Sequence, residues 1–91
     1  MTVKVSVPPA MRELTGGRSQ VEVEGQTVAE VFDALEAQYP GGKERLCERD
    51  GQIKPHTTVF VNGHDIRRLQ GMDTPVPDGA DVMIIAAMTG G

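Results

Sequence analysis

The chain opens on a period-two pattern, with Val3, Val5 and Val7 alternating with Lys4 and Ser6, and this predicts a strand with one buried face. Pro8-Pro9 stops its ladder, because proline carries no backbone N–H. Residues 10–17 form a connection in which Met11 and Leu14 are placed to pack inward and Gly16-Gly17 lets the backbone reverse. Val21 and Val23 then alternate with Gln20, Glu22 and Glu24 as a second strand, expected to pair antiparallel with the first. Thr27 followed by Glu30 reads as a capping box and places a helix start there. Val28, Val31, Phe32 and Leu35 recur at intervals of three and four, one apolar stripe against a sheet, and leave Glu30, Asp33, Glu36 and Gln38 to water. Pro40-Gly41-Gly42 ends that helix.

Residues 43–56 are polar and irregular apart from Leu46, Cys47 and Ile53, and read as a short turn and a surface loop ending near Lys54-Pro55-His56. Thr57 to Val61 is β-branched and aromatic, a third strand that ends at the tight reversal Asn62-Gly63, after which Ile66 re-enters the core. Asp78-Gly79 marks another turn. Val82 to Ala87 is a continuous apolar strand, of the kind buried on both faces or covered by a partner. The order strand, strand, helix, strand, strand predicts an α+β fold: a mixed sheet of four to five strands with one main helix packed on one face. Its first and last strands lie side by side at the centre, so the last projects the terminus out of the sheet.

Composition narrows what such a chain can do. Ninety-one residues make one domain that buries about two thirds of its unfolded surface, too little for a deep active-site cleft, so a stand-alone enzyme is disfavoured. No apolar run approaches the ~20 residues that span a bilayer, and the alternating start carries no signal-peptide pattern. The single cysteine, Cys47, excludes an internal disulfide and a cysteine zinc cluster and fits a reducing cytoplasm. A formal charge of −4, with Arg67-Arg68 the one adjacent basic pair, argues against nucleic acid and marks that pair as a solvated turn.

The candidate chemistry sits at the end, where Thr89-Gly90-Gly91 follows the predicted central strand. Glycine lacks Cβ and lets a backbone pass a narrow channel into another protein's active site. The Gly91 carboxylate is a poor electrophile until activated, for example by ATP to an acyl adenylate. With no phosphate-cradling glycine loop in the chain, the ATP belongs to a partner, and no cofactor is expected on this protein itself.

In these residues the chain resembles the β-grasp, ubiquitin-like sulfur carriers of the MoaD/ThiS family. Val3-Lys4-Val5 leading to Arg12-Glu13-Leu14-Thr15-Gly16 is similar to the family's opening, Val61-Asn62-Gly63 to its central turn, and Asp78-Gly79-Ala80-Asp81-Val82 with Thr89-Gly90-Gly91 to its close. The resemblance implies a β-grasp domain over residues 1–87 and a flexible diglycine tail over 88–91. It also implies a cycle in which an E1-like adenylating and sulfurtransferase enzyme activates Gly91. A sulfur donor then converts the carboxylate to a thiocarboxylate, with Gly90 giving access and Met88 and Thr89 as partner contacts. The stretch Val61 to Arg67 through Gly71, with Pro77-Asp78-Gly79, is most similar to CysO-type carriers. Those feed a PLP-dependent cysteine synthase, after which a JAMM-type metalloprotease frees cysteine. Many relatives carry a proline where Ala86-Ala87-Met88 stands here. The same tail also suits a molybdopterin synthase small subunit, a sulfur donor for thiamin or a specialised metabolite, or a ubiquitin-like protein modifier.

Other candidates read as structure. Cys47 is a small packed hydrophobe, and His56 and His64 stand on different elements without a carboxylate frame, so no metal is assigned. Asp78 and Asp81 shape a turn. Met72, Met83 and Met88 are open between core and a docking face, with Met88 beside the tail.

Overall fold

The computed structural model describes residues 2–55 and 57–86. The alternating valines do make the predicted pair. Strand β1 (Thr2–Ser6) runs antiparallel to β2 (Gln20–Glu24) with Val3 opposite Val23 and Val5 opposite Val21, all four buried. Strand β3 (Thr57–Val61) reverses into the two-residue β4 (His64–Asp65). The last strand, β5 (Asp81–Ala86), fills the centre, parallel to β1 and antiparallel to β3, in the order β2-β1-β5-β3-β4. The mixed sheet, its central pair and its helix agree with the expectation.

Two turns hold β5 in register. Asn62 and Gly63 both take positive φ (50° and 84°), as a two-residue hairpin turn twisted with its strands requires. Asn62 also reaches across the sheet: its N–H donates to the Asp81 carbonyl (2.8 Å) and its Oδ1 accepts from the Asp81 N–H (3.0 Å). On the other side, Asp78 Oδ1 accepts from the Thr2 N–H (2.9 Å) while the Gly79 N–H donates to the Thr2 carbonyl (2.8 Å). The turn reading of Asp78 is thereby given atoms: its side chain ties the approach to β5 onto the start of β1.

Helix α1 (Val28–Gln38) buries Val28, Val31, Phe32 and Leu35 in one cluster with the inward residues of β1, β2, β3 and β5. Its start is satisfied group by group. Thr27 Oγ1 accepts from the Glu30 N–H (3.2 Å), the Val28 N–H donates to the Thr74 carbonyl (3.1 Å), and Glu30 Oε1 accepts from the Gln26 N–H (3.0 Å), one residue before the usual capping-box partner. Gly25 precedes the cap because a Cβ there would stand 2.8 Å from the Val31 nitrogen, a clash with backbone.

The structure corrects the expectation of a turn and loop over 43–56 in its first part. Gly42–Leu46 forms a second helix, α2. The reason lies in Glu36, which does not simply face water: its carboxylate accepts from the N–H groups of Gly41 (3.1 Å) and Lys43 (3.0 Å), capping from α1 a helix whose own N-cap is a glycine. α2 then delivers Leu46 and Cys47 to the core, and Cys47 pairs by backbone with Ile53 across the remaining loop. Burial pushes the Cys47 thiol above its ordinary range, with Lys43 opposing weakly.

Two outcomes follow. Thr27→Ala should cost about 1 kcal/mol, read as a lower urea midpoint at unchanged slope; an unmoved midpoint would show that the cap is dispensable. The thiolate is the reactive form, so in the native chain at pH 8 Cys47 should react with a soluble disulfide reagent at least ~10-fold more slowly than in urea. Because folding holds the thiol neutral, its stability contribution is full below the usual thiol range and declines as pH rises through it toward the raised value. Equal rates in the two states would show an open site.

Candidate functional site

The residues expected to carry the chemistry, Gly91, Gly90, Thr89 and Met88, lie outside the described residues. The strand that precedes them is described: it is β5, whose first half lies between β1 and β3 and whose second half is paired with β3. Here the apolar run resolves into strict alternation. Val82 and Ile84 point into the core, whereas Met83 and Ile85 point the other way and are 48% and 47% exposed. Of the two readings of this strand, burial on both faces is overturned, because Met83 and Ile85 are half exposed and both α-helices join the core on the inner side, with no element among the described residues covering the outer one.

The ladder registers place the neighbours. Met83 stands between Phe60 on one side and Ser6 on the other, and Thr58 stands beside Ile85. Leu69, 48% exposed, follows the surface 3-10 turn Ile66–Arg68. With Phe60, His64 and Arg68 it borders an open depression of about 350 Å³ at the sheet edge. Toward the other end of β5 the face becomes charged, since Glu22, Lys4 and Asp81 share one row. The open face is thus polar where β5 begins and apolar where it leads into the tail. An exposed apolar group of this kind has the character of a docking surface more than of a catalytic pocket.

Arg67 and Arg68 occupy the surface turn expected of them, and Arg67 has a structural task as well. Its Nη2 donates to the carbonyls of Thr57 (2.8 Å) and Pro55 (3.3 Å), covering the outer edge of β3 where the short β4 has ended. The methionines separate: Met72 packs partly buried against the core and Met83 stands on the open face, with Met88 outside the described residues. His64 is exposed on β4, and His56 lies outside the described residues. Among the described residues no group of three or more His, Cys, Asp or Glu could hold a metal ion, and no helix is long and apolar enough to cross a membrane. Sequence reasoning passed over Phe60 and Leu69 as surface residues. Phe60 could have been found from its outward phase between Val59 and Val61, whereas Leu69 has no periodic neighbour to announce it.

Against known proteins the likeness runs from end to end. The chain is 39% identical over 93 residues to the sulfur carrier protein CysO of Mycobacterium tuberculosis, covering 100% of both chains. It is 40% identical over 83 residues to small archaeal modifier protein 3 of Haloferax volcanii, covering 88% of each. In a crystal structure of the Amycolatopsis orientalis BexX/CysO complex, one chain superposes with a TM-score of 0.90 at 37% identity, over 98% of this chain and 99% of that one. The fold is therefore the expected ubiquitin-like β-grasp. The ThiS family model matches residues 5–91, and with it the strands, the turns and the diglycine end find one explanation: the chain belongs to the ThiS family.

Proposed function

We propose that this protein is a sulfur carrier, a co-substrate of partner enzymes and not itself an enzyme. The observation that carries the reading is the alignment over the full length of a sulfur carrier in a chain whose diglycine follows the central strand of the sheet. In this reading an E1-like enzyme binds the chain and ATP. A Gly91 carboxylate oxygen attacks the α-phosphorus, and pyrophosphate leaves as the acyl adenylate forms. Hydrosulfide released by a sulfur donor then attacks the acyl carbon, the bond to AMP breaks with AMP as the leaving group, and the thiocarboxylate remains on Gly91. Gly90 keeps the last bonds slender enough to enter each active site. The β-grasp body is the handle, gripped on the open face at Met83, Ile85 and Phe60, with Met88 and Thr89 continuing the contact.

The sulfur acceptor is proposed to be a PLP-dependent cysteine synthase, whose enzyme-bound aminoacrylate adds the thiocarboxylate sulfur, with a JAMM-type metalloprotease freeing cysteine. All of this is placed in the cytoplasm, with ATP consumed by the partner. A second reading is favoured by the likeness to a small archaeal modifier protein: the same activated carboxylate passes to a lysine amine. Isopeptide remnants ending in Gly-Gly on other proteins would mark it.

The chain isolated from its host should contain a fraction about 16 Da heavier at the terminus, oxygen replaced by sulfur, and removal of Gly91 should abolish that species while leaving the circular dichroism spectrum and melting temperature unchanged. If the heavier form never appears with the adenylating enzyme, ATP and sulfide supplied, the carrier reading is wrong. Ile85→Asp, at a half-exposed position, should leave the fold within about 1 kcal/mol and raise the KM of the chain as a substrate for adenylation at least ~10-fold by placing a charge in the docking face. An unchanged KM would move the docking surface elsewhere.

A further inference from the structure

The inner side of β3, where Thr57, Val59 and Val61 are buried, carries a feature that the carrier chemistry does not use. The loop after α2, the turn Ile66–Arg68 and the turn Gly71–Asp73 pass beside this strand, and together they border a depression of about 110 Å³. Its lining is mostly apolar, with Val59 and Ile66 buried and Ile53 and Met72 partly buried beside them. Thr57 and Arg67 bring polar groups to it.

Thr57 is the group that sets this depression apart from loose packing. Three threonines are buried among the described residues, and two of them use their hydroxyls within the fold. Thr15 Oγ1 donates to the Arg18 carbonyl (2.9 Å), and Thr74 Oγ1 accepts from the Gln70 N–H (3.0 Å). Thr57 is 3% exposed, and its backbone groups are both engaged, the N–H with the Lys54 carbonyl (2.9 Å) and the carbonyl with Arg67 Nη2 (2.8 Å). Its Oγ1 has no partner among the described residues. No described side-chain polar atom is both fully buried and unpaired, so the small exposure of Thr57 includes its hydroxyl, at a residue that lines the depression. Valine, which stands two and four residues on along the same face, would fill the place without leaving a hydroxyl unpaired. Arg67 places a charge at the same end. Nη2 donates to the carbonyls of Thr57 and Pro55 and so fixes the guanidinium beside β3, while the N–H groups of Nη1 and Nε have no partner among the described residues. Asp65, two residues away, turns Oδ1 to the Arg67 backbone N–H (2.9 Å) and borders the other depression, beside Phe60 and Leu69.

We infer that this depression binds a small aliphatic carboxylate, its branched tail among Ile53, Val59, Ile66 and Met72 and its carboxylate accepting from the Thr57 hydroxyl and the unpaired guanidinium N–H groups of Arg67. The volume sets the size: a cavity of about 150 Å³ admits benzene, so a tail of about four carbons suits this one. The polar end sets the class, because a guanidinium fork held in place by two carbonyls matches the two oxygens of a carboxylate better than one hydroxyl. The site lies on the side of the sheet away from Met83 and Ile85, and it stands whether or not the chain carries sulfur.

The test titrates the full chain, labelled with nitrogen-15, at neutral pH and matched ionic strength. The probe is sodium isovalerate, compared with acetate, which lacks the tail, and 3-methylbutan-1-ol, which lacks the charge. Isovalerate should move the amide signals of Thr57, Ile66, Arg67 and Met72 saturably, with a dissociation constant of about 1–10 mM, and leave those of Met83 and Lys4 in place. Acetate and the alcohol should each bind at least ~10-fold more weakly. Thr57→Val removes a hydroxyl that no bond within the fold uses; it should keep or raise the melting temperature and weaken isovalerate binding roughly five- to tenfold. Shifts that do not saturate, or that centre on Met83 and Ile85, would overturn the site. An alcohol that binds as tightly as isovalerate would overturn the ligand class. A Thr57→Val chain that binds like the parent, or melts more than about 4 °C lower, would show that the hydroxyl serves no ligand. If Thr57→Val does not fold, the comparison of the three probes decides alone.

Discussion

The structure depends on the parallel pairing of β1 with β5, the contact that joins the beginning of the described chain to its end. Closing so long a stretch costs conformational entropy before any contact rewards it, and two short turns with polar side chains make the register definite. Asp78 ties the approach of β5 to Thr2, and Asn62 ties its first residue to the β3 hairpin. A slip by one residue would exchange Val82 and Ile84 for Met83 and Ile85 in the core. What the clamps secure is thus both the packing and the identity of the face left open.

That open face follows from arithmetic of cover. Helices α1 and α2 join the core on one side of five strands, and the chain has no further α-helix among its described residues to lay on the other. Much of the uncovered face can be polar at no cost, and at the β2 side it is, with Glu22 and Lys4 in cross-strand register. Around the C-terminal half of β5 it is not. Apolar surface loses about 25 cal/mol for each Å² left in water, so keeping Met83, Ile85 and Leu69 half exposed is a standing cost that a bound partner would relieve. The geometry therefore couples two things at one place: the surface that gains most from being covered, and the strand from which the diglycine tail leaves.

Most of this was legible in periodicity, because β1, β2 and α1 each bury one face and display it as spacing. The failures share a physical origin, which is that they turn on groups distant in sequence. Residues 42–46 carry little helical signal of their own, and become a helix because Glu36, from the preceding helix, caps them. The run Val82 to Ala86 hides its alternation since both phases are apolar, and only the neighbouring strands tell which phase is inside. Leu69 joins the open face through the turn that Ile66 anchors, a tertiary placement with no local pattern. The proposed site is read as chemistry from Gly90-Gly91 alone, whereas the surroundings of the strand that precedes it required the fold.

Pro8 shows how one residue can shape more than its own strand. Read along the sequence it is a strand terminator, and in the structure it does stop β1 at Ser6. Stopping β1 there has a consequence one strand away, because β5 runs on for three residues past its last pairing with β1. Proteins ordinarily cover, charge or twist away such edges, since an open row of N–H and C=O groups invites pairing with any extended chain. The outer edge of β3 receives that treatment from Arg67, whose guanidinium occupies the Thr57 carbonyl. Past Met83 the row of β1 continues into Pro8, which is buried and extended (φ −68°, ψ 156°) and can donate no N–H to β5. A chain that closes the edge of β3 with an arginine and ends the β1 ladder with a proline limits pairing with other extended chains, and leaves the outward side chains of Met83 and Ile85 as the exposed apolar feature of β5.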